Sequence, residues 1–214
     1  MMRCLSLLAA ALLTVLPGAA STPATKPPPP PAIIALVDVE TTGLDPTFHE
    51  MVDLGAVYIR PDGEVLGRFF VRILPPHPDR IDAGAAAVNG FSLARWRDGG
   101  AVDEVEAVRH WREFHGRVSG ASPVTFGAFN AWFDQAFTDA LLRRHGSSWR
   151  ALFHYQILDL PSMAWAQGAR DLGNDALAAR YGIAAETHDP LRHTGGSGVD
   201  FNLALYKAIL RRRR

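Results

Sequence analysis

A run of strand-forming residues near the start of this 214-residue chain ends in two carboxylates, Asp38 and Glu40, placed one residue apart. Side chains two apart on a β-strand share a face, so both carboxylates point the same way while Val37 and Val39 pack on the other side. Like charges on one face repel each other unless a cation lies between them. The Thr41-Thr42-Gly43 turn that follows lets the backbone approach a bound group closely. A solvated acidic strand end is the alternative, because charged side chains are mostly exposed.

Periodicity along the chain predicts strands first and helices later. A meander of three strands is predicted over residues 32–39, 51–60 and 65–74, with Pro61-Asp62-Gly63 as one of its turns. Further strands are predicted over residues 123–129 and 155–160, and helices over residues 102–120, 131–146, 175–182 and 200–210. Strands in a run, followed by alternation with helices, predict an α/β fold with a mixed sheet covered by helices.

Two of the predicted helices begin near carboxylates. Asn130 is the predicted cap of the helix over residues 131–146, and Asp134 falls in its first turn, where the positive end of the helix dipole stabilises a negative charge. The final helix is expected to open at Asp200, with Ser197 as the cap of a capping box that Asp200 completes three residues later. A purely structural role is the alternative for each carboxylate.

The helix over residues 102–120 also carries two histidines, His110 and His115. Residues five apart lie about 140° apart around a helix, so these two side chains do not share a face as zinc ligands would. We expect them to belong to a solvated helix face.

The first residues have the pattern of a targeting signal. A basic start at Arg3, an apolar stretch and a small-residue run predict a signal peptide over residues 1–20. The apolar stretch is too short to span a bilayer comfortably, so no stable membrane insertion is expected after cleavage. Export to the periplasm or the medium is the expectation if this signal is genuine, and a cytoplasmic location otherwise. An uncleaved anchor and a mis-chosen start codon are the alternatives.

The next segment, residues 21–32, contains five consecutive prolines, which predict a stiff, extended linker. The only cysteine, Cys4, lies in the predicted signal, so the mature domain would have no disulfide and no thiolate site. The 22 basic and 22 acidic residues balance, and no overall field attracts a polyanion. Any polyanion must therefore be held by a local arrangement of groups.

Two stretches resemble motifs of a known enzyme superfamily. The sequence from Val37 to Tyr58, VDVETTGLDPTFHEMVDLGAVY, resembles the first motif of the DEDD superfamily of 3′-5′ exonucleases, and FNAWFD, which ends at Asp134, resembles the second. AVNGFSLARW and ILDLPSMAWA extend the similarity, which runs from Ile33 to about Leu210. The resemblance implies a ribonuclease H-like fold, with a five-stranded sheet of a three-strand meander plus parallel strands, and an exonuclease domain over residues 33–212.

The third motif departs from the family pattern. In the histidine branch of the superfamily a histidine stands five residues before the last metal-binding aspartate, and in the tyrosine branch a tyrosine stands four before it. Here glycines occupy both positions before Asp200, and His193 lies seven residues before it. A bulge in the glycine-rich stretch between them would let both reach one site, because glycine accepts most backbone geometries. His193 is the expected base, with His188 as the fallback and a surface histidine as the alternative.

The resemblance implies a metal-dependent 3′-5′ exonuclease that hydrolyses phosphodiester bonds and releases nucleoside monophosphates from DNA or RNA with a free 3′ end. It implies two divalent cations, Mg²⁺ or Mn²⁺, which hard oxygen ligands suit and which activate a water and stabilise the leaving oxygen. The implied ligands are Asp38, Glu40, Asp134 and Asp200. His193 would accept the proton of the attacking water.

The resemblance also implies that the terminal nucleotide contacts Thr41, Thr42, Gly43, Leu44, Asn130 and Phe133. Leu44 would wedge against the last base, and Asn130 would support the site. The alternative to an enzyme is a catalytically weak or inactive member that keeps the fold as a module binding nucleic acid or protein, which the stretched third motif permits.

Overall fold

The computed structural model describes residues 33–212. The predicted signal peptide, residues 1–20, and the predicted linker, residues 21–32, lie outside the described residues. Within residues 33–212, none of the helices combines the length and the apolar character needed to cross a bilayer.

A mixed sheet forms the centre of the domain. Its strands are β1 (Ile33–Thr41), β2 (Met51–Ile59), β3 (Val65–Arg72), β4 (Val124–Ala128) and β5 (Ile157–Asp159). In the order β3-β2-β1-β4-β5, the first three strands are an antiparallel meander, and β4 and β5 run parallel to β1. The predicted five-stranded sheet, with a meander and added parallel strands, is confirmed.

Helices cover both faces of this sheet. They are α1 (Ala83–Asn89), α2 (Leu93–Asp98), α3 (Glu104–Ser119), α4 (Ala131–Arg144), α5 (Leu160–Ala166), α6 (Asn174–Tyr181) and α7 (Gly195–Arg211). One hydrophobic core joins the sheet to α3 and α4, and the other joins it to α5, α6 and α7. Val37 and Val39 belong to the first core and Leu36 to the second. The alternation predicted for β1 is therefore confirmed, and Asp38 and Glu40 lie on the α7 face.

The last residues of β1 extend past the end of its pairing with β4, which stops at Leu36 and Gly127. Side chains from two helices bond the backbone groups left unpaired on this edge. The Val39 N–H donates to Asp134 Oδ1 at 3.0 Å, and Asn202 Nδ2 donates to the Val37 carbonyl at 3.2 Å. The acidic end of β1 is thereby fixed between α4 and α7, on opposite sides of the sheet.

The final helix starts earlier than the sequence predicts. α7 begins at Gly195, its cap is Thr194, and the capping box pairs Thr194 with Ser197. The prediction that Ser197 and Asp200 form the box is wrong, because the glycines from Gly195 to Gly198 are helical and do not bulge. Glycine is a poor helix former, but here it lets α7 approach the sheet: a Cβ on Gly195 would lie 2.5 Å from the Asp38 carbonyl oxygen.

The expectation of a solvated histidine face is wrong for His115. Its ring is buried against the sheet, with Nδ1 2.9 Å from the Tyr58 hydroxyl. Removal from water disfavours the charged imidazolium, and this burial lowers the pKa of His115 to about 4.

We expect the free energy of unfolding to fall as the pH drops from about 6.5 towards 4. An unfolded histidine takes up its proton near pH 6.5, whereas folded His115 does so near pH 4, so the unfolded state binds more protons between these values. Urea melts of the wild type and His115→Gln, at about pH 7 and about pH 5, test this. The wild type should lose more stability than the variant over that range, and equal losses would contradict the assignment.

Candidate active site

Three of the four predicted metal ligands meet in one pocket of about 420 Å³. Asp38 and Glu40 come from the end of β1, and Asp134 comes from the first turn of α4. Glu186, from the segment between α6 and α7, lines the same pocket beside His193. Carboxylates from both faces of the sheet therefore lie together in this pocket, at the edge where β1 extends beyond its pairing with β4.

The carboxylates of this pocket are held in a setting that disfavours their charge. Burial, and then the neighbouring carboxylates Asp134, Glu186 and Glu40, raise the pKa of Asp38 well above its ordinary value. Burial likewise raises the pKa of Asp134, although the hydrogen bond from the Val39 N–H opposes it. Buried like charges of this kind are stabilised by a nearby cation.

His193 is the basic side chain at this cluster. Its Nε2 lies 3.0 Å from Glu40 Oε1, and chiefly this hydrogen bond raises the pKa of His193 to about 9. Its Nδ1 lies 2.8 Å from the Thr187 carbonyl oxygen, which can only accept a hydrogen bond, so Nδ1 carries a proton in either charge state. In the neutral ring Nε2 is then the free acceptor, and it faces the carboxylates.

The fallback base, His188, does not lie in the pocket. Its side chain is exposed, and its Nε2 is 3.2 Å from Asp175 Oδ1 on α6. Of the two histidines considered from the sequence, the structure brings only His193 to the predicted metal ligands.

Asp200 also lies away from the cluster, which corrects the expected ligand set. Its side chain is 65% exposed and pairs with Arg68 of β3. Two residues turn an α-helix by about 200°, so Asp200 and Gly198 face nearly opposite sides of α7. It is Gly198 that faces Asp38, since a Cβ on Gly198 would overlap the Asp38 carboxylate.

Sequence reasoning missed two buried carboxylates near the site. Asp53 of β2 lies opposite Glu40, and its Oδ1 accepts a 2.8 Å hydrogen bond from the N–H of Gly195, which fixes the start of α7. Burial raises the pKa of Asp53 to about 8. A lone charge inside the apolar run MVDLGAV was a usable signal for Asp53. Glu186 belongs to no motif or periodic pattern in the sequence.

A second cleft, of about 620 Å³, adjoins the carboxylate pocket and shares Glu40, Leu44 and Phe133 with it. Most of its remaining wall is formed by the start of α1 and by the loop after β1. Leu44 stands 78% exposed at the boundary between the two spaces. Four of the residues predicted to contact the terminal nucleotide line this cleft: Thr41, Gly43, Leu44 and Phe133.

The other two predicted contacts have different settings. Thr42 is buried, and its hydroxyl accepts a 2.9 Å hydrogen bond from the Glu50 N–H, so it shapes the loop and does not line the cleft. Asn130 lines the carboxylate pocket. It is the N-cap of α4 as predicted, but with a left-handed backbone (φ 55°) and no side-chain capping hydrogen bond. Asparagine tolerates this conformation better than most residues.

An exonuclease family, RNase T, has a model that matches residues 36–195. The chain belongs to this exonuclease family. The first two motifs therefore predicted the superfamily correctly, and residues 36–195 form an exonuclease domain of the DEDD type. A search of curated proteins found no match to this sequence.

Solved structures of exonuclease I share the fold of this exonuclease domain. The zinc-bound complex of the E. coli enzyme with single-stranded DNA has a TM-score of 0.70 at 17% identity, and the match covers 86% of this chain and 41% of that one. The E. coli enzyme with a dA16 oligonucleotide has a TM-score of 0.67 at 16% identity, and the match covers 84% of this chain and 41% of that one. A product-bound exonuclease I has a TM-score of 0.69 at 16% identity, and the match covers 86% of this chain and 44% of that one. The chain thus spans less than half of each exonuclease I polypeptide.

Exonucleases of this family use divalent metal ions, and the donor set of the pocket fits them. Its carboxylate oxygens are hard ligands, and Glu186 Oε1 is buried with no hydrogen-bond partner among the described residues. Within residues 33–212, however, no three Asp, Glu, His or Cys side chains are already arranged to hold an ion. Side chains of the pocket would therefore have to move for an ion to bind there.

Proposed function

We propose that residues 33–212 act as a metal-dependent 3′-5′ exonuclease that releases nucleoside monophosphates from the 3′ end of a nucleic acid. The observation that carries this proposal is the meeting of Asp38, Glu40, Asp134 and His193 in one pocket beside a cleft of about 620 Å³. A catalytic base and a set of oxygen ligands in one place are what hydrolysis of a phosphodiester requires.

Asp38, Glu40 and Asp134 would hold two divalent cations, Mg²⁺ or Mn²⁺, both of which prefer oxygen ligands. When bound, such ions supply a nucleophile at neutral pH and stabilise the charge on the leaving oxygen. Asp134 is already oriented for this role, because one of its oxygens is fixed by the Val39 N–H and the other remains for a ligand.

His193 would act as the base. The Thr187 carbonyl accepts a hydrogen bond from Nδ1–H and so keeps Nε2 as the accepting nitrogen of the neutral ring. With Glu40 bound to a cation instead of to His193, Nε2 would be free to take a proton from the attacking water. The short segment from Thr187 to Thr194 therefore sets both the position and the tautomer of the base.

The second cleft would receive the terminal nucleotide. Leu44 lines both this cleft and the carboxylate pocket, and Trp132, which is 69% exposed, lines the carboxylate pocket beside it. Both side chains offer apolar surface on which a base can rest. Such contacts do not read sequence, which suits an enzyme acting on ends. The exonuclease I structures that share this fold include complexes with single-stranded DNA, which supports a single-stranded substrate for this chain.

Release of label from 3′-labelled and 5′-labelled single-stranded DNA and RNA tests this function. The purified protein with Mn²⁺ should release the 3′ label first, because the reacting phosphodiester is the last one, and EDTA should stop the release. His193→Gln should slow release by about 10²- to 10⁴-fold, the usual contribution of a general base, without weakening Mn²⁺ binding.

Label loss from the 5′ end first, or activity that persists in EDTA, would contradict the proposal. The alternative function, an inactive module that binds nucleic acid or protein, is favoured by one observation, the glycine at position 198 that faces Asp38. Intact binding of a labelled oligonucleotide, with no release under any metal condition, would support that alternative.

We also propose that residues 1–20 are a signal peptide and residues 21–32 a linker, so that the exonuclease domain acts in the periplasm or the medium. The support is the basic start, short apolar stretch and small-residue run of the sequence. Mass spectrometry of the secreted protein should find an N-terminus after Ala20, whereas an intact N-terminus on cytoplasmic protein would contradict export.

A further inference from the structure

The described part of the chain lacks a carboxylate where the histidine branch of the superfamily has its last metal-binding aspartate. Counted forward from His193, the five-residue spacing of that branch falls on Gly198. Gly198 lies in the first turn of α7, and a Cβ there would overlap the carboxylate of Asp38. With Asp38 in this position, the site has neither an aspartate at residue 198 nor space for one.

Glu186 brings a carboxylate to the same pocket from another element. It lines the pocket with Asp38 and Asp134, and its charge is close enough to help raise the pKa of both. Its side chain is only 14% exposed. Its Oε1 is buried 3.7 Å from His193 Nδ1, and it has no hydrogen-bond partner in the described part of the chain.

Asn174 holds Glu186 in this position through two hydrogen bonds. The Asn174 amide donates to Glu186 Oε2 at 3.1 Å, and the Glu186 N–H donates to Asn174 Oδ1 at 3.2 Å. One carboxylate oxygen is therefore fixed, while the other is left without a hydrogen bond inside the cluster. A buried oxygen in this state costs free energy unless a ligand satisfies it.

The other carboxylates near the site do not line the pocket. Asp53 accepts a hydrogen bond from the Gly195 N–H through Oδ1, and its Oδ2 is buried without a partner among the described residues but outside the pocket. Asp200 pairs with Arg68 on the outer side of α7. Among the described residues that line the pocket, the carboxylates are Asp38, Glu40, Asp134 and Glu186.

We propose that Glu186 supplies the fourth carboxylate of the metal site, in place of the aspartate that is missing at position 198. The inference rests on the proposed function, and it moves the fourth ligand from the last helix to the segment that precedes His193. Four carboxylates then remain to balance two divalent cations, as the missing aspartate would have allowed.

A titration of the purified protein with Mn²⁺ tests the role of Glu186 without relying on activity. The electron paramagnetic resonance signal of the free ion measures how much Mn²⁺ remains unbound. Glu186→Gln keeps the size and the hydrogen bonds to Asn174 but removes the charge. We expect it to weaken Mn²⁺ binding at least tenfold and to reduce the rise in melting temperature that Mn²⁺ causes. Glu64→Gln, at an exposed glutamate in the turn after β2, is the matched control and should bind Mn²⁺ like the wild type.

Unchanged Mn²⁺ affinity in Glu186→Gln, with 3′ release still supported by the wild type, would refute Glu186 as a ligand and leave the proposed function intact. Unchanged affinity with a shifted pH profile of release would assign Glu186 to positioning His193 instead. Failure of the wild type to bind Mn²⁺ or to release nucleotides would overturn the proposed function and this inference together. If Glu186→Gln does not fold, Glu186→Asp should show intermediate Mn²⁺ affinity, and wild-type affinity in that variant would count against the proposal.

Discussion

Asp38→Asn is expected to abolish nucleotide release and yet to stabilise the protein when metal is absent. Burial, and then the neighbouring carboxylates Asp134, Glu186 and Glu40, raise the pKa of Asp38, so folding opposes its charge. The unfolded carboxyl ionises near pH 3.9, and the folded one at higher pH, so stability is lost as the pH rises above about 4. Asparagine removes this cost, and we expect a gain of about 1 kcal/mol, or about 2–4 °C in melting temperature.

Metal should reverse the order of stability, so that the wild type becomes more stable than Asp38→Asn. Mn²⁺ at about 100 times its Kd adds about 2.7 kcal/mol to a protein that binds it only when folded. The wild type should gain this stabilisation and Asp38→Asn should not. Loss of several kcal/mol of transition-state stabilisation predicts a fall in release on the order of 10⁴-fold.

Thermal melts in EDTA and in Mn²⁺ check the expected changes in stability. Release of 3′ label, measured on the same samples, checks the expected loss of activity. Asp98→Asn is the matched control, because Asp98 is exposed at the end of α2, away from the pocket. It should melt and react like the wild type in both conditions. A lower melting temperature of Asp38→Asn than of the wild type in EDTA would contradict the expectation that folding opposes the charge of Asp38.

The part of the site carried by β1 and α4 was predictable because its signals are local. Alternation in β1 fixes which way Asp38 and Glu40 face, and the apolar pattern of α4 fixes the start of the helix that carries Asp134. The meander and the helices α3, α4 and α6 follow from the same two periodicities, whereas periodicity did not predict the short helices α1, α2 and α5. These features depend on residues close together in the sequence, so a single sequence carries them.

The part of the site near α7 was not predictable because it depends on contacts between distant segments. Helix α7 begins among glycines, although glycine has a low helix propensity. It begins there because the Gly195 N–H donates a hydrogen bond to Asp53 and because the glycine backbone packs closely against β2. By sequence alone, Asp200 is a favourable residue for the first turn of a helix. That preference predicted the start of α7 at the wrong residue and a metal ligand that the structure places outside the pocket. Glu186 reaches the pocket only because Asn174 holds it there.

Gly55→Ala is expected to destabilise the domain by about 3 kcal/mol or more, the upper range for overpacking a filled core. Gly55 lies in β2 directly opposite Asp38, and a Cβ there would overlap the carbonyl oxygen of Gly195. From the other side, a Cβ on Gly195 would lie 2.6 Å from the Gly55 nitrogen. Both partners are backbone atoms, so neither can turn away as a side chain would. At about 2–4 °C for each kcal/mol, the melting temperature should fall by roughly 6–12 °C.

The same substitution should also reduce nucleotide release, because pushing the start of α7 away from β2 displaces His193, two residues before Gly195. Gly116→Ala is the matched control. Gly116 lies inside α3, where an added Cβ meets nothing within 4 Å, and alanine there should stabilise the helix by about 0.5–1 kcal/mol. Thermal melts of the two variants should therefore move in opposite directions. Equal melting temperatures would mean that α7 is not seated on the backbone of β2, and the packing that holds His193 beside Glu40 would need another cause.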